Sequence, residues 1–435
     1  MTQSTLLRSV AAVLGCAVLV NCGGSSSTSP PPNQIVVTVT PSAFAMGVGS
    51  NYQFASAVTG TTNTAVNWEV NGVAGGNASV GTIDNTGLYI APGTIPAGTI
   101  SVAAVAQADG VSKGTAAITL SLTDPLGTAT GQTIACPTVS GVKGATCYSL
   151  VLSCPGIADL NGYLWVNTPV TAPIGTVLLT TGANSTDLYS PGFKYGGAVV
   201  TGLLTAGYVT VQTSFGGVFN ANQPFGWQTG PGGIRRVACR YATLAKWVQD
   251  NPNIGSAGTP MCATGNSAGS ALIGYALAHY GGTSLFTMVE PTSGPPFSRL
   301  DYSCQCNQPD LPDPCGSGQH LSQCVGLSNA QGFIDPAYSS PICSQAVQSH
   351  SLANSAQFLS DSILSPEATL SYPKTSVHFV WGALDLSSAP VMGQEWQQLI
   401  VPPGAYDCVA DAGHSLPDTQ DAAAQVLNDI VTYCH

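Results

Sequence analysis

Fourteen cysteines stand in this chain of 435 residues, and their placement limits the fold more than any other feature. Cys16 and Cys22 lie near the N-terminus. The other twelve, at 136, 147, 154, 239, 262, 304, 306, 315, 324, 343, 408 and 434, all follow residue 130. An even number at scattered spacings predicts six disulfides in the C-terminal two-thirds and an oxidising compartment. The rival chemistry, zinc held by Cys304, Cys306, Cys315 and Cys324, lacks a histidine at finger spacing, so no metal is expected. Cross-links matter here because ion pairs are scarce. Only 7% of the residues are charged, against roughly 25% in an ordinary soluble domain. A net charge of −11 with 10 Lys+Arg excludes nucleic-acid binding through a basic face. A hydrophobic share of 44% excludes disorder by low hydropathy.

The N-terminus has its own texture. Residues 1–8 form a short segment with one positive charge, and the apolar run 9–20 is too short to span a bilayer, which is the layout of a signal peptide. The sequence Leu19-Val20-Asn21-Cys22-Gly23-Gly24 resembles a bacterial lipobox. The resemblance implies a signal over 1–21, cleavage before Cys22 and lipidation of that cysteine. The chain would then be exported and lipid-anchored in the cell envelope, with plain secretion as the alternative. Residues 22–34, rich in Ser and Pro, read as an extended tether. Short alternating stretches over 35–122, separated by Gly/Asn/Pro clusters, predict a β-sandwich. Within it, Asn67-Trp68-Glu69-Val70-Asn71-Gly72 and the run from Gly81 to Pro92 resemble bacterial Ig-like domains. That likeness implies a spacer or adhesive module.

From 130 to 435 strands and helices alternate. Strands are predicted at 147–152, 163–167, 175–180, 208–213, 259–264, 285–290, 376–381 and 405–410. Helices are predicted at 193–206, 235–250, 268–280, 393–400 and 418–434. This rhythm implies a mostly parallel sheet with helices on both faces. Residues 295–370, rich in Cys, Pro and Ser, break it and read as an inserted lid pinned by disulfides.

The chemistry centres on Gly265-Asn266-Ser267-Ala268-Gly269. A G-x-S-x-G between an apolar strand and a helix is a sharp turn that lifts its serine clear of the sheet, with the helix N-terminus aimed at the site. Such a serine needs a base. Of six histidines, His414 is placed best, in a Gly-containing loop after a strand; His279, His320, His350, His378 and His435 have blander settings. Asp385, in the loop after 376–381, is the expected third member, with Asp411 and Glu290 as rivals. The order Ser267, Asp385, His414 suits this arrangement. The expected oxyanion donors are the amide of Ala268 and that of Gly182 or Ala183, in the loop after 175–180.

Elbow, acid loop and histidine loop, in that order over about 300 residues, resemble an α/β-hydrolase of the secreted esterase/lipase type. The resemblance implies that an acyl-enzyme forms on Ser267 and is hydrolysed by water, with no cofactor. The expected substrate is a small or polymeric ester; a serine peptidase of the same fold and a non-catalytic adhesion lipoprotein are the alternatives. Arg235 and Arg236 read as a solvated helix face or as partners for an anionic substrate group. Trp227 and Phe225 read as pocket walls or core.

Overall fold

The computed structural model describes residues 34–254 and 258–435. The expected signal segment, Cys22 and all but the last residue of the tether lie outside these. Residues 35–435 form one compact unit.

The centre is a nine-stranded sheet. In chain order its strands are β1 (Thr128–Ile134), β2 (Thr146–Ser153), β3 (Leu160–Asn167), β4 (Gly175–Thr180), β5 (Tyr208–Ser214), β6 (Met261–Asn266), β7 (Met288–Thr292), β8 (Ser376–Gly382) and β9 (Ala405–Val409). Across the sheet they run β1-β2-β3-β5-β4-β6-β7-β8-β9. β1, β2 and β3 pair antiparallel, as do β3 and β5, while β4 to β9 are parallel. The central strands are buried on both sides, and neighbouring residues serve opposite faces. On β4, Leu178 packs with the helices Cys239–Asp250 and Ala268–His279, while Val177 and Leu179 pack with Gly196–Ala206 and Gln420–Tyr433. Continuous apolar runs such as Thr176-Val-Leu-Leu179 therefore form strands here instead of alternating ones.

The chain leaves β4 toward β5 on one side and returns to β6 on the other. This reversal opens a crevice at the C-terminal ends of β4 and β6, where open parallel sheets bind ligands. Two strands are displaced from expectation: β6 runs two residues further, to the position before Ser267, and β7 ends at Thr292. The edge strand β1 (TATGQTI) escaped the pattern because it is mostly exposed and lacks an apolar face.

Six disulfides use all twelve cysteines after residue 130: 136–147, 154–239, 262–434, 304–343, 306–324 and 315–408. Cys262–Cys434 joins β6 to the end of the last helix across 172 residues. Closing a loop of that size removes about 5 kcal/mol of unfolded-chain entropy in the simplest reckoning. Three bridges hold the 295–370 insertion: two are internal, and Cys315–Cys408 fastens it to β9.

Residues 36–121 form three small sheets around one core that includes Phe54, Trp68, Val70, Tyr89 and Val102. Gly87, at φ +88°, must be glycine, since a Cβ there would lie 2.6 Å from the Phe54 carbonyl oxygen. This module is clamped to the large sheet through buried polar contacts. Arg235 Nε donates to Asp124 at 2.6 Å, its Nη2 to the Val48 carbonyl at 3.1 Å and its Nη1 to the Ser360 carbonyl at 3.2 Å. Asp124 also accepts the Gly47 amide. Asn51 donates to Asp361 at 2.9 Å, and Tyr338 of the insertion donates to the same carboxylate at 2.8 Å. The Arg236 guanidinium lies 5.0 Å from the ring centres of both Phe44 and Tyr52. Arg235 and Arg236 are thus neither a solvated face nor an anion site. Apart from the Gly232 carbonyl, which also accepts from Arg236, these partners come from segments more than a hundred residues away, which local reading does not reach.

Burial pushes the Asp124 carboxyl upward, but the charge and hydrogen bond of Arg235, together with the other cationic groups around it, outweigh burial and hold the carboxyl below its ordinary value. For Asp361 burial wins and carries the carboxyl to about 6. A carboxyl raised on folding adds stability that is fully present below its unfolded pKa of about 4 and lost as pH rises through its folded value. Raising the pH from about 5 to about 7 should therefore lower the Tm of wild type more than that of Asp361→Asn. Thermal melts across that window check this, and parallel Tm curves would refute it.

Candidate active site

β6 delivers Asn266, and the next residue, Ser267, sits at φ 54°, ψ −119°, before the helix Ala268–His279 begins. A non-glycine residue in this region costs of order 1–3 kcal/mol, which the surroundings must offset. Both motif glycines are sterically required. A Cβ on Gly265 would lie 2.6 Å from the Gly269 carbonyl, and one on Gly269 would lie 2.5 Å from the Thr181 carbonyl oxygen. The turn after β6 is thus pressed backbone to backbone against the end of β4.

β8 and β9 end close by, and their loops bring Asp385 and His414 to the serine. His414 Nε2 is 2.9 Å from Ser267 Oγ, and His414 Nδ1 is 2.8 Å from Asp385 Oδ2. The Asp385 side chain is 1% exposed and that of His414 41%. Burial pushes the Asp385 carboxyl upward; the hydrogen bond and charge of His414, with the Ser387 amide at 3.0 Å, outweigh it and hold it below the usual value. Asp385 therefore remains an anion that fixes the imidazole with Nδ1 protonated. Ser387 Oγ lies 3.2 Å from the same nitrogen.

The rival residues are occupied elsewhere. Glu290 is fully buried, and desolvation raises its carboxyl well above the ordinary value; one oxygen accepts from Thr264 Oγ1 at 3.2 Å. Asp411 accepts from Thr419 at the start of the last helix. His279 is buried and held neutral, its pKa pushed down to about 3 by desolvation. His350 meets the Gln305 carbonyl. His378 pairs with Asp407 at 2.8 Å. With Asp429 these two form a compact His/Asp/Asp group, and Gln425 Nε2 already donates to both carboxylates.

The β4 loop crosses the serine at Gly182, where a Cβ would lie 3.1 Å from Ser267 Cβ. Ala183 follows at φ 47°, its carbonyl held by Trp227 Nε1 at 3.3 Å. Trp227 is fully buried, whereas Phe225 is 47% exposed. Among the described residues no acceptor takes the Ala183 or Ala268 amide. A cavity of about 370 Å³ opens over Ser267, lined by Phe193 and Asp187 from the β4–β5 connection and by Pro296, Phe297, Ala330 and Phe333 from the insertion.

Asn266 is the site residue that sequence reasoning missed. It is buried, its Nδ2 donates to the His414 carbonyl at 3.0 Å, and its Oδ1 accepts from the Leu416 amide at 3.2 Å and Thr292 Oγ1 at 3.1 Å. It ties the histidine loop to the serine turn. The middle position of G-x-S-x-G accepts many side chains, so nothing in the motif signals this role.

No protein-family model matches the chain, and no curated protein matches it. Solved structures similar to it include an acetyl xylan esterase from Paenibacillus sp. R4, at 14% identity and TM-score 0.43, covering 70% of this chain and 89% of that one. Another is a highly thermostable carboxyl esterase from Bacillus coagulans, at 15% identity and TM-score 0.40, covering 66% and 97%. A dienelactone hydrolase from Anabaena variabilis is similar at 16% identity and TM-score 0.37, covering 66% and 96%. Likenesses this distant carry no weight beside the strand order and site geometry above.

Asn266→Ala should leave the fold intact but loosen the histidine loop. Labelling of Ser267 by a fluorophosphonate should slow by about ten- to a hundredfold, the cost of a misplaced base. Wild-type labelling rates in that variant would show that Asn266 does not position His414.

Proposed function

We propose that the chain is an exported serine hydrolase of the α/β-hydrolase fold that cleaves carboxylic esters. The observation that carries this reading is the hydrogen-bonded chain Ser267 Oγ, His414 Nε2/Nδ1, Asp385 Oδ2. The strand order, with its reversal beside β4 and β6, supports the fold assignment.

In this mechanism Ser267 Oγ attacks the ester carbonyl carbon as His414 Nε2 takes its proton. Asp385, kept anionic, stabilises the imidazolium that results. Charge gathers on the carbonyl oxygen and is met by the Ala268 amide at the helix N-terminus and by Gly182 or Ala183 opposite. As the intermediate collapses, the C–O bond to the alcohol breaks, and the alcohol leaves with the proton from His414. Water, deprotonated by the same imidazole, attacks the acyl-enzyme and releases the acid.

An ester is favoured over a peptide because the cavity walls are largely apolar and, among the described residues, Asp187 is the one acidic or basic wall besides His414, with no charged cradle for a peptide backbone or its termini. Six disulfides, together with the N-terminal signal pattern, support export. A lipid on Cys22 would hold the protein at the envelope membrane.

A fluorophosphonate should label the mature protein, and Ser267→Ala should abolish both labelling and hydrolysis of p-nitrophenyl esters. Ester turnover that persists in that variant would remove Ser267 as nucleophile, and cleavage of p-nitroanilides without esters would favour the peptidase. Separately, Cys22→Ser should move the protein from the membrane fraction to the soluble fraction of the exporting cell. An unchanged distribution would refute the anchor.

A further inference from the structure

A second cleft of about 240 Å³ adjoins the catalytic cavity along Ser387 and Ser388, which line both. Its other walls include Asp310, Gln319, His320 and Ser322 from the insertion hairpin, with the strongly exposed Leu327 and Leu386 beside them. We infer that this cleft is the leaving-group subsite and that it takes a polyhydroxylated alcohol, so that the substrate is an apolar acid esterified to a sugar or comparable polyol. The inference rests on the ester-hydrolase reading and specifies its substrate.

Chemistry fixes which side the alcohol occupies. The departing oxygen takes its proton from His414 Nε2, so the alcohol must lie on the imidazole side of the acyl carbon. The second cleft joins the first at Ser387 and Ser388, beside the imidazole: Ser387 Oγ stands 3.2 Å from His414 Nδ1, the nitrogen that faces Asp385. Ser267, His414 and the Gly182, Ala183 and Ala268 backbone line only the first cavity, so the reacting carbonyl sits there and the second cleft takes the part of the alcohol that extends past the imidazole. The two cavities also differ in character. Three phenylalanines and a proline line the first, a surface for an acyl chain or ring. The second offers a carboxylate, an amide, an imidazole and three hydroxyls, which accept and donate hydrogen bonds, beside three leucines. A sugar presents hydroxyls at its rim and C–H groups on its faces, and this pairing of polar and aliphatic groups suits it.

Covalent bonds hold the second cleft in register with the catalytic base. The hairpin strands Leu311–Pro312 and His320–Leu321 flank Cys315, which is bonded to Cys408 on β9, the strand that leads into the His414 loop. Cys324, itself a wall of the cleft, is bonded to Cys306. Binding energy gained at such a rigid subsite can be used in the transition state instead of being lost in ordering a loop.

The test compares kcat/KM for 6-O-butanoyl glucose with that for methyl butanoate, on wild type and on the double variant Gln319→Ala/His320→Ala. Both positions are exposed, so the variant should fold. Wild type should prefer the glucose ester, and the ratio of the two kcat/KM values should fall about tenfold in the variant. A ratio that the substitutions do not change overturns the subsite. Failure of wild type to hydrolyse either ester would instead overturn the ester-hydrolase reading, and the subsite with it.

Discussion

The close approach of two backbone turns governs this molecule. At the reversal between β4 and β6, Gly269 lies so near the Thr181 carbonyl, and Gly265 so near Gly269, that no side chain fits between them. That contact seats Ser267 at a positive φ, brings Gly182 against its Cβ, and starts the helix Ala268–His279 at the serine. Ser267, the Gly182 backbone and the helix N-terminus are thus set by one packing constraint. Asp385 and His414 come from strands further along the sheet and meet the serine only because β7, β8 and β9 keep parallel register. Asn266 closes the arrangement by fastening the histidine loop to the same turn.

A chain with few charges must stabilise this arrangement by other means, and it uses its ions sparingly but deeply. Arg235 and Asp124 form a buried pair that is also hydrogen-bonded to Val48, Gly47 and Ser360, so that little charge is left unsatisfied. Removing one member of such a pair costs about 3–5 kcal/mol, more than the intact pair need contribute. The pair therefore acts mainly to fix the orientation of the N-terminal module. The disulfides do comparable work on the other side, tying the insertion to itself and to β9.

What the sequence disclosed depended on how far apart the interacting residues lie. The elbow was legible because five consecutive residues and their flanking strand and helix carry it. Asp385 and His414 were legible because each stands alone in a loop after a strand, in the chain order the resemblance implies. Twelve cysteines in one region announced six bridges, although their pairing needed the fold. Asn266 was not legible, since its partners His414, Leu416 and Thr292 are remote and its motif position is permissive. Arg235 and Arg236 were misread for a similar reason: two adjacent cations beside a glycine turn look solvent-facing until the module at 44–52 and the insertion at 360–361 close over them. β1 was hidden because an exposed edge strand carries no apolar periodicity.

The bridge between Cys262 and Cys434 also bears on how the protein is made. Its first cysteine lies on β6, five residues before Ser267, and its second follows the helix Gln420–Tyr433, at a separation of 172 residues. β6 therefore cannot receive its covalent partner until that last helix has been made and has reached the sheet. Until then Cys262 is an odd thiol, open to mispairing with the ten other cysteines that follow residue 130. The helix Gln420–Tyr433 thus locks the strand before Ser267 only after β7, β8 and β9 exist to lie beside it.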